Sequence, residues 1–251
     1  MPNLTKAKIL LYDIETMANE SYTWGIWEQD VLYVKRPWYI ISFAYKWLGE
    51  GGIKSYSLPY FPHYKKDKKN DKELCRELWK LFDEADIIVA HNGSAFDSKK
   101  SVAKFLQHGF KPPTPYQVID TLTIAKRYFK FDSNRLDSLA QYLGVGKKIN
   151  TGGFQLWLDC AVHDKPEAWR KMDRYNRHDV KLLEEVYYKF RPYITNHPNL
   201  NLINRVVDNC PNCGGVLQKR GFRVTRVGRY QRFQCQSCAA WSSKSLKGIV
   251  R

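Results

Sequence analysis

Acidic residues are scarce for the number of cations in this chain. There are 25 Asp and Glu against 41 Lys and Arg, a formal net charge of +16 and a pI near 9.5. That balance favours polyanionic partners. Long apolar stretches are missing too, since no run approaches the roughly 18 residues of a membrane helix. The opening residues Met1-Pro2-Asn3-Leu4-Thr5-Lys6 lack the apolar core of a signal peptide. These absences predict no membrane partner and a cytoplasmic protein, in a host cytoplasm if the gene is a phage's. There is no internal repeat. What is present suffices for a core: 43% hydrophobic and 14% aromatic residues exclude bulk disorder. A length of 251 residues accommodates one ordinary domain and a small satellite.

The pattern along the chain is α/β. Buried strands are expected at Lys8–Tyr12, Tyr39–Trp47, Ile87–Ala90 and Gln117–Asp120, with Ile53–Leu58 returning as a hairpin partner after the turn Gly49–Gly52. Helical spacing runs from Asp71 to Phe82, with Leu74, Leu78, Leu81 and Phe82 on one face, and again from Ser98 to His108. A long helix is expected from about Glu167 to Phe190. A hairpin followed by strand–helix alternation predicts a mixed sheet flanked by helices.

Three acidic motifs follow one another along this pattern. Asp13 and Glu15 close the first apolar run, two residues apart, so both leave the same face of the strand. Paired carboxylates repel unless a cation lies between them; the plainer alternative is a strand running into polar surface. Asp97 opens a helix after His91-Asn92-Gly93-Ser94-Ala95-Phe96, where a ligand role and ordinary N-capping are both open. Tyr175 and Asp179, at i and i+4, share a helix face, whereas His178 points about 100° away. Asp120 and Asp137 also stand out, and a capping or supporting role suits them better than a direct metal bond.

The order of Asp13-Ile14-Glu15, Asp97 and Tyr175-x-x-x-Asp179 resembles the DEDD group of 3′→5′ exonucleases, the DnaQ-like branch of the ribonuclease H-like fold, over about residues 7–190. The tyrosine four residues before the last aspartate is similar to the DEDDy subgroup; Arg174 stands where the histidine subgroup has its histidine. The resemblance implies a five-stranded ribonuclease H-like sheet and two Mg²⁺ or Mn²⁺ ions. One would be held by Asp13, Glu15 and Asp179 and lower the pKa of bound water, and the other by Asp13 with help from Asp97. Tyr175, a poor base at neutral pH, would orient the attacking water. Thr16, Met17, Asn92 and Phe96 would meet the terminal nucleotide. The run Tyr22-Thr23-Trp24-Gly25-Ile26-Trp27 either stacks on bases or packs in the core.

The tail is a separate object. Cys210, Cys213, Cys235 and Cys238 form a C-x2-C-x21-C-x2-C array, with Gly214-Gly215 after the first pair. This spacing predicts one structural Zn²⁺ in a small β zinc ribbon; two disulfides are the disfavoured alternative inside a cell. Cys75 and Cys160 lack such partners and read as core residues. Between Arg205 and Arg251 there are ten Lys or Arg and one acid. Arg220, Arg223, Arg226, Arg229 and Arg232 alternate with Phe222, Tyr230 and Phe233, a composition suited to gripping a nucleic-acid backbone. The expected organisation is a nuclease domain over 1–190, a linker over 191–209 and the ribbon over 210–251.

The resulting expectation is a two-metal 3′→5′ exonuclease similar to DnaQ-like nucleases of phages and bacteria. Its partner would be nucleic acid, single-stranded DNA foremost, with RNA open. A proofreading or RNA-processing nuclease working beside a polymerase is the related alternative, and a non-catalytic nucleic-acid adaptor the unrelated one.

Overall fold

A computed structural model describes residues 6–246. The first five residues expected in the nuclease domain and the last five of the ribbon, with Lys247 and Arg251 of its charge count, lie outside them. The chain runs β1 (Ile9–Met17), β2 (Glu20–Tyr22), β3 (Tyr33–Arg36), β4 (Tyr39–Trp47), β5 (Lys54–Ser57), α1 (Lys72–Glu84), β6 (Ile87–Ala90) and α2 (Asp97–Gln107). It continues through β7 (Gln117–Asp120), α3 (Thr121–Tyr128), α4 (Leu136–Tyr142), α5 (Gln155–Ala161), α6 (Pro166–Phe190), α7 (Leu200–Asn204), β8 (Leu217–Thr225), β9 (Gly228–Cys235) and β10 (Trp241–Ser245). No helix among the described residues is long and apolar enough to cross a membrane.

The central sheet has five strands in the order β5-β4-β1-β6-β7. β4 pairs antiparallel with β1 and β5, while β1, β6 and β7 run parallel. This is the mixed, helix-flanked sheet that the pattern predicts, with the five strands that the resemblance implies. Alternate residues of β1 enter opposite apolar layers. Leu10, Tyr12 and Ile14 pack with Phe43, Leu78 and Phe82 of β4 and α1, whereas Ile9 and Leu11 meet Val180, Leu183 and Tyr187 of α6. Asp13 and Glu15 continue the second series, so α6 lies over the side of the sheet that carries them. Pro166 opens α6 at a position where its missing N–H costs nothing.

Two expectations need correction. β1 does not stop at Tyr12 but runs to Met17, held by β4, with a register shift between Glu15 and Thr16. Asp13 and Glu15 therefore sit within a paired strand rather than at its end. Core packing of the aromatic run after β1 is also excluded. β2 and β3 form a separate two-stranded hairpin, on which Trp24 is 88% and Trp27 79% exposed.

The segment 191–209 holds a short 3-10 turn and α7, with Ile194 and Leu200 buried in the layer under α6. The Asn212 side-chain amide donates to the carbonyls of Arg191 (3.1 Å) and Ile194 (3.2 Å), tying the cysteine region to the end of α6.

Candidate metal centre and nucleic-acid interface

β1 and α6 bring Asp13, Glu15 and Asp179 together, with one ligand oxygen of each within 4.8 Å of the others. By exposed area Asp13 and Glu15 are only half-buried, yet protein atoms crowd both carboxylates enough for burial to dominate their titration. Asp13 is raised well above the usual carboxylate range by burial, then by Glu15, Asp97 and Asp179. Glu15 is pushed up to about 8 by burial and then by Asp179. Asp179 is also raised by burial, although Lys148 opposes the shift, and its Oδ1 is buried without a hydrogen-bond partner. Crowded carboxylates with an unused oxygen are an all-oxygen donor set short of positive charge, which suits hard divalent cations.

Asp97 stands outside the tight triad but faces it. Its carboxylate is pushed up to about 7 by burial, against the lowering effect of hydrogen bonds from the backbone N–H groups of Ile14 and Asp97 itself. Asp97 comes near the Ile14 N–H because β6, which leads into α2, lies next to β1 in the sheet. The turn from β6 to α2 is shaped by Asp120, whose carboxylate accepts from Asn92 N (2.9 Å) and Ser94 N (3.0 Å) and caps α3 through Leu122 N (3.0 Å). Asn92 adopts a left-handed φ of 66°, and a Cβ at Gly93 would come within 2.5 Å of the Ala90 Cβ.

Tyr175 and Asp179 do share a face of α6. The Tyr175 hydroxyl is raised well above its ordinary pKa by burial, then by Asp179, Glu15 and Asp13, so it stays protonated at neutral pH. Three neighbours were not foreseen from the sequence. Lys148 donates to Asp179 Oδ2 (2.7 Å) and to the Tyr175 hydroxyl (3.2 Å). Burial pulls the Lys148 pKa down, but Asp179, Asp13 and Glu15 outweigh it and the net shift is upward. Asn176 donates to Asp13 Oδ2 at 2.9 Å. The Trp157 side chain lies close enough to Glu15 to oppose its upward shift, and packs edge-on against Tyr175, ring centroids 6.0 Å apart. Asn176 had a signal, since it lies three residues before Asp179 and so near the same helix face. Lys148 and Trp157 had none, as they come from other elements.

Two clefts adjoin the carboxylates. Thr16, Met17 and Phe96 line one of about 580 Å³ together with Glu15, Trp38 and Trp157. Lys100 lies 4.4 Å from the ring centroids of both Trp38 and Phe96 and donates to Thr16 Oγ1 at 3.2 Å. Asn92 is separated from this group and lines a second cleft of about 620 Å³, with Lys126, Arg135 and Lys148.

A family model described as RNase_H superfamily matches residues 39–191, from β4 to the end of α6. The chain belongs to the RNase H superfamily. The matched span includes Asp97, Tyr175 and Asp179 and begins after the β1 carboxylates. Among solved structures, the family B DNA polymerase from the hyperthermophilic archaeon Pyrobaculum calidifontis is similar, with a TM-score of 0.53 at 18% identity. The alignment covers 83% of this chain and 26% of the polymerase chain, so the present protein spans about a quarter of that relative. No curated protein matches the chain.

Beyond the RNase H superfamily domain, the four tail cysteines converge with their sulfurs within 4.8 Å of one another. Cys210 and Cys238 sulfurs are 3.7 Å apart and those of Cys213 and Cys235 3.5 Å. These separations are far beyond a disulfide bond and match the edges of a tetrahedron around Zn²⁺. Burial raises the Cys235 thiol, but the backbone N–H groups of Cys238 (3.5 Å) and Ser237 (3.3 Å), together with the Cys213 and Cys238 side chains, outweigh it and lower its pKa to about 7. The β10-β9-β8 sheet carries all five arginines exposed, but not on one face. By register, Arg223 lies beside Tyr230 and shares its face with Arg232, while Arg229 sits opposite Val224 on the other face, 3.8 Å over the Phe222 ring. Arg226 is in the hairpin turn and Arg220 in the register shift of β8.

Asp71, Cys75 and His108 form a third converging group. Asp71 already accepts from Ile40 N (2.9 Å) and His108 Nε2 (2.7 Å), and pairs with buried Lys104 at 3.2 Å. A cation fills that position, and the cluster braces α1, α2 and β4. Cys75 and Cys160 are fully buried core residues, as expected.

Proposed function

We propose that the protein is a metal-dependent 3′→5′ exonuclease of the DEDDy kind, acting on single-stranded ends, DNA foremost. The observation that carries this is the convergence of Asp13, Glu15 and Asp179 around a buried oxygen without a partner, with Asp97 and Tyr175 facing it. Membership of the RNase H superfamily and the likeness to a DNA polymerase chain support a nucleic-acid substrate.

Asp13, Glu15 and Asp179 would hold one divalent cation, and Asp13 with Asp97 a second. Two such ions, when bound, supply a hydroxide nucleophile at neutral pH and neutralise charge on the leaving oxygen. Asn176 orients Asp13, and Trp157, beside Glu15, packs against Tyr175. Tyr175, protonated and braced by Lys148, positions the attacking water through its hydroxyl rather than removing a proton. Thr16, Met17 and Phe96 receive the terminal nucleoside in the aromatic cleft. The cysteine cluster holds Zn²⁺, and the ribbon arginines grip phosphates.

The test is a panel of 3′-labelled and 5′-labelled single-stranded, duplex and RNA substrates with Mg²⁺, Mn²⁺ or EDTA. Stepwise shortening from the 3′ end, lost in EDTA, is expected. Cleavage inside strands, shortening from the 5′ end, or full activity in EDTA contradicts the reading. The polymerase likeness favours one variant of it, editing beside a separate polymerase. Preferential removal of mismatched over matched 3′ termini would distinguish that variant.

A further inference from the structure

The two clefts beside the carboxylates are nearly equal in volume and opposite in chemistry. Trp38, Phe96, Phe154 and Trp157 wall the first. No Phe, Tyr or Trp lines the second; its one ring is the half-buried imidazole of His91, hydrogen-bonded to Thr121 Oγ1 at 2.9 Å, and it presents Lys126, Arg135 and Lys148 beside the polar side chains of Asn92, Ser133 and Asn134. With that imidazole held in place, the cleft offers bases no broad platform, whereas cations and amide or hydroxyl donors are the groups that hold phosphodiesters.

Three details show where the charge of this second cleft is directed. Lys148 joins it to the reacting centre through its 2.7 Å bond to Asp179. The acid in the lining, Asp137, is engaged elsewhere: it accepts from Lys148 N (2.6 Å) and from Gln141 Nε2 (2.9 Å), and so fastens the loop that carries Lys148. Lys126 and Arg135 are exposed and make no ion pair among the described residues. Lys126 has a local reason for its place, the last turn of α3, where a cation suits the helix dipole. Arg135 has the opposite: it is the N-cap of α4, where the dipole disfavours a cation. Its charge serves something other than its own helix.

We propose that the second cleft is the track of the substrate's phosphodiester backbone, in which Lys126 and Arg135 hold phosphates behind the one being cut. This rests on the exonuclease reading above. The track lies on the domain itself, independent of the ribbon arginines.

The test uses the full chain. Binding of a labelled single-stranded oligonucleotide is measured across a salt series with Asp13→Asn in the background, so that the strand stays intact. Adding Lys126→Gln and Arg135→Gln should lower the slope of log affinity against log salt by about 1.4, two contacts at about 0.7 each. The control pair Lys65→Gln and Lys66→Gln removes the same charge outside both clefts and should leave the slope nearly unchanged. Unchanged slopes in the cleft variant, or equal falls in both pairs, overturn the proposal. With Asp13 restored, the cleft variant should lose at least about tenfold more kcat/KM on the oligonucleotide than on thymidine 5′-(p-nitrophenyl) phosphate, which has no further phosphates. Equal losses on both substrates also overturn it. If the protein cleaves neither substrate with Mn²⁺, the exonuclease reading fails, and the salt slopes still decide whether the cleft holds a backbone.

Discussion

Asp13, Glu15, Asp97 and Asp179 come from β1, α2 and α6, and they meet because two apolar layers already hold those elements against the sheet. Cys210, Cys213, Cys235 and Cys238 come from two short knuckles, and the buried cluster around them consists of three of those cysteines and Ala240. In the first region the fold precedes the ligand set and forces like charges together. In the second there is little fold without the ligands. A cation at the carboxylates should therefore relieve strain in a domain that stands without it, whereas a cation at the cysteines should supply most of the stability of its region.

The sharpest way to break this contrast is Asp13→Asn, which keeps the shape and removes one charge from the repelling set. Activity should fall on the order of 10⁴-fold. The melting temperature in EDTA at pH 8.5, where the carboxylates are driven to ionise, should rise, because those that remain repel less. Tyr175→Phe removes a hydroxyl that holds water and is no ligand, so it should cost less, on the order of ten- to a thousandfold. Steady-state kinetics and calorimetry of both variants decide the matter. A lower metal-free melting temperature for Asp13→Asn would mean that the carboxylates stabilise the fold instead of straining it.

Cys213→Ser probes the other region. Hydrogen-exchange protection across residues 210–245 should collapse while protection in β1, β4 and α6 stays intact. Oligonucleotide affinity should drop by about tenfold with a shallower salt dependence, as the arginines lose their scaffold. Protection that survives in the variant would show a ribbon held by packing rather than by thiolates.

The same contrast explains what could be read from the sequence. The carboxylates were legible because each sits in a short motif whose element could be recognised, and the order of the motifs carried the rest. The cysteines were legible because their spacing is itself the geometry of the site. Lys148 lies in a loop after α4 with no local pattern, and the packing of α4 against α6, with Asp137 holding the loop, delivers it to Asp179. Nothing in its local sequence sets Trp157 apart from a core aromatic, though its side chain lies near Glu15. The β2–β3 hairpin was missed because its aromatics imitate a buried run, whereas most of them face solvent. Asp120 and Asp137 lie near the centre in sequence logic, but both spend their oxygens on backbone N–H groups or an amide, as capping residues do.

The smallest expected effect is a pH dependence that comes mainly from the carboxylate region. In the metal-free protein Glu15 titrates near 8 and Asp97 near 7, both raised mainly by burial, against about 4 in the unfolded chain. Between these values the folded state binds protons that the unfolded state does not, so stability falls as pH rises. His91 and His197, both lowered to about 4 by burial, act in the opposite sense: below about 6.5 the unfolded chain takes up protons that they refuse. The histidines fade above about pH 7, and Cys235, lowered to about 7, opposes the carboxylates, which outnumber it. The melting temperature in EDTA should therefore decline by a few degrees from pH 6.5 to 8.5, and saturating Mg²⁺ should flatten the decline by favouring the ionised form. Asp13→Asn should reduce the slope, and because the ribbon thiols are common to both proteins their titration cancels in the difference. A wild-type profile parallel to that of Asp13→Asn over this window would show that the four carboxylates are not coupled through a shared charge.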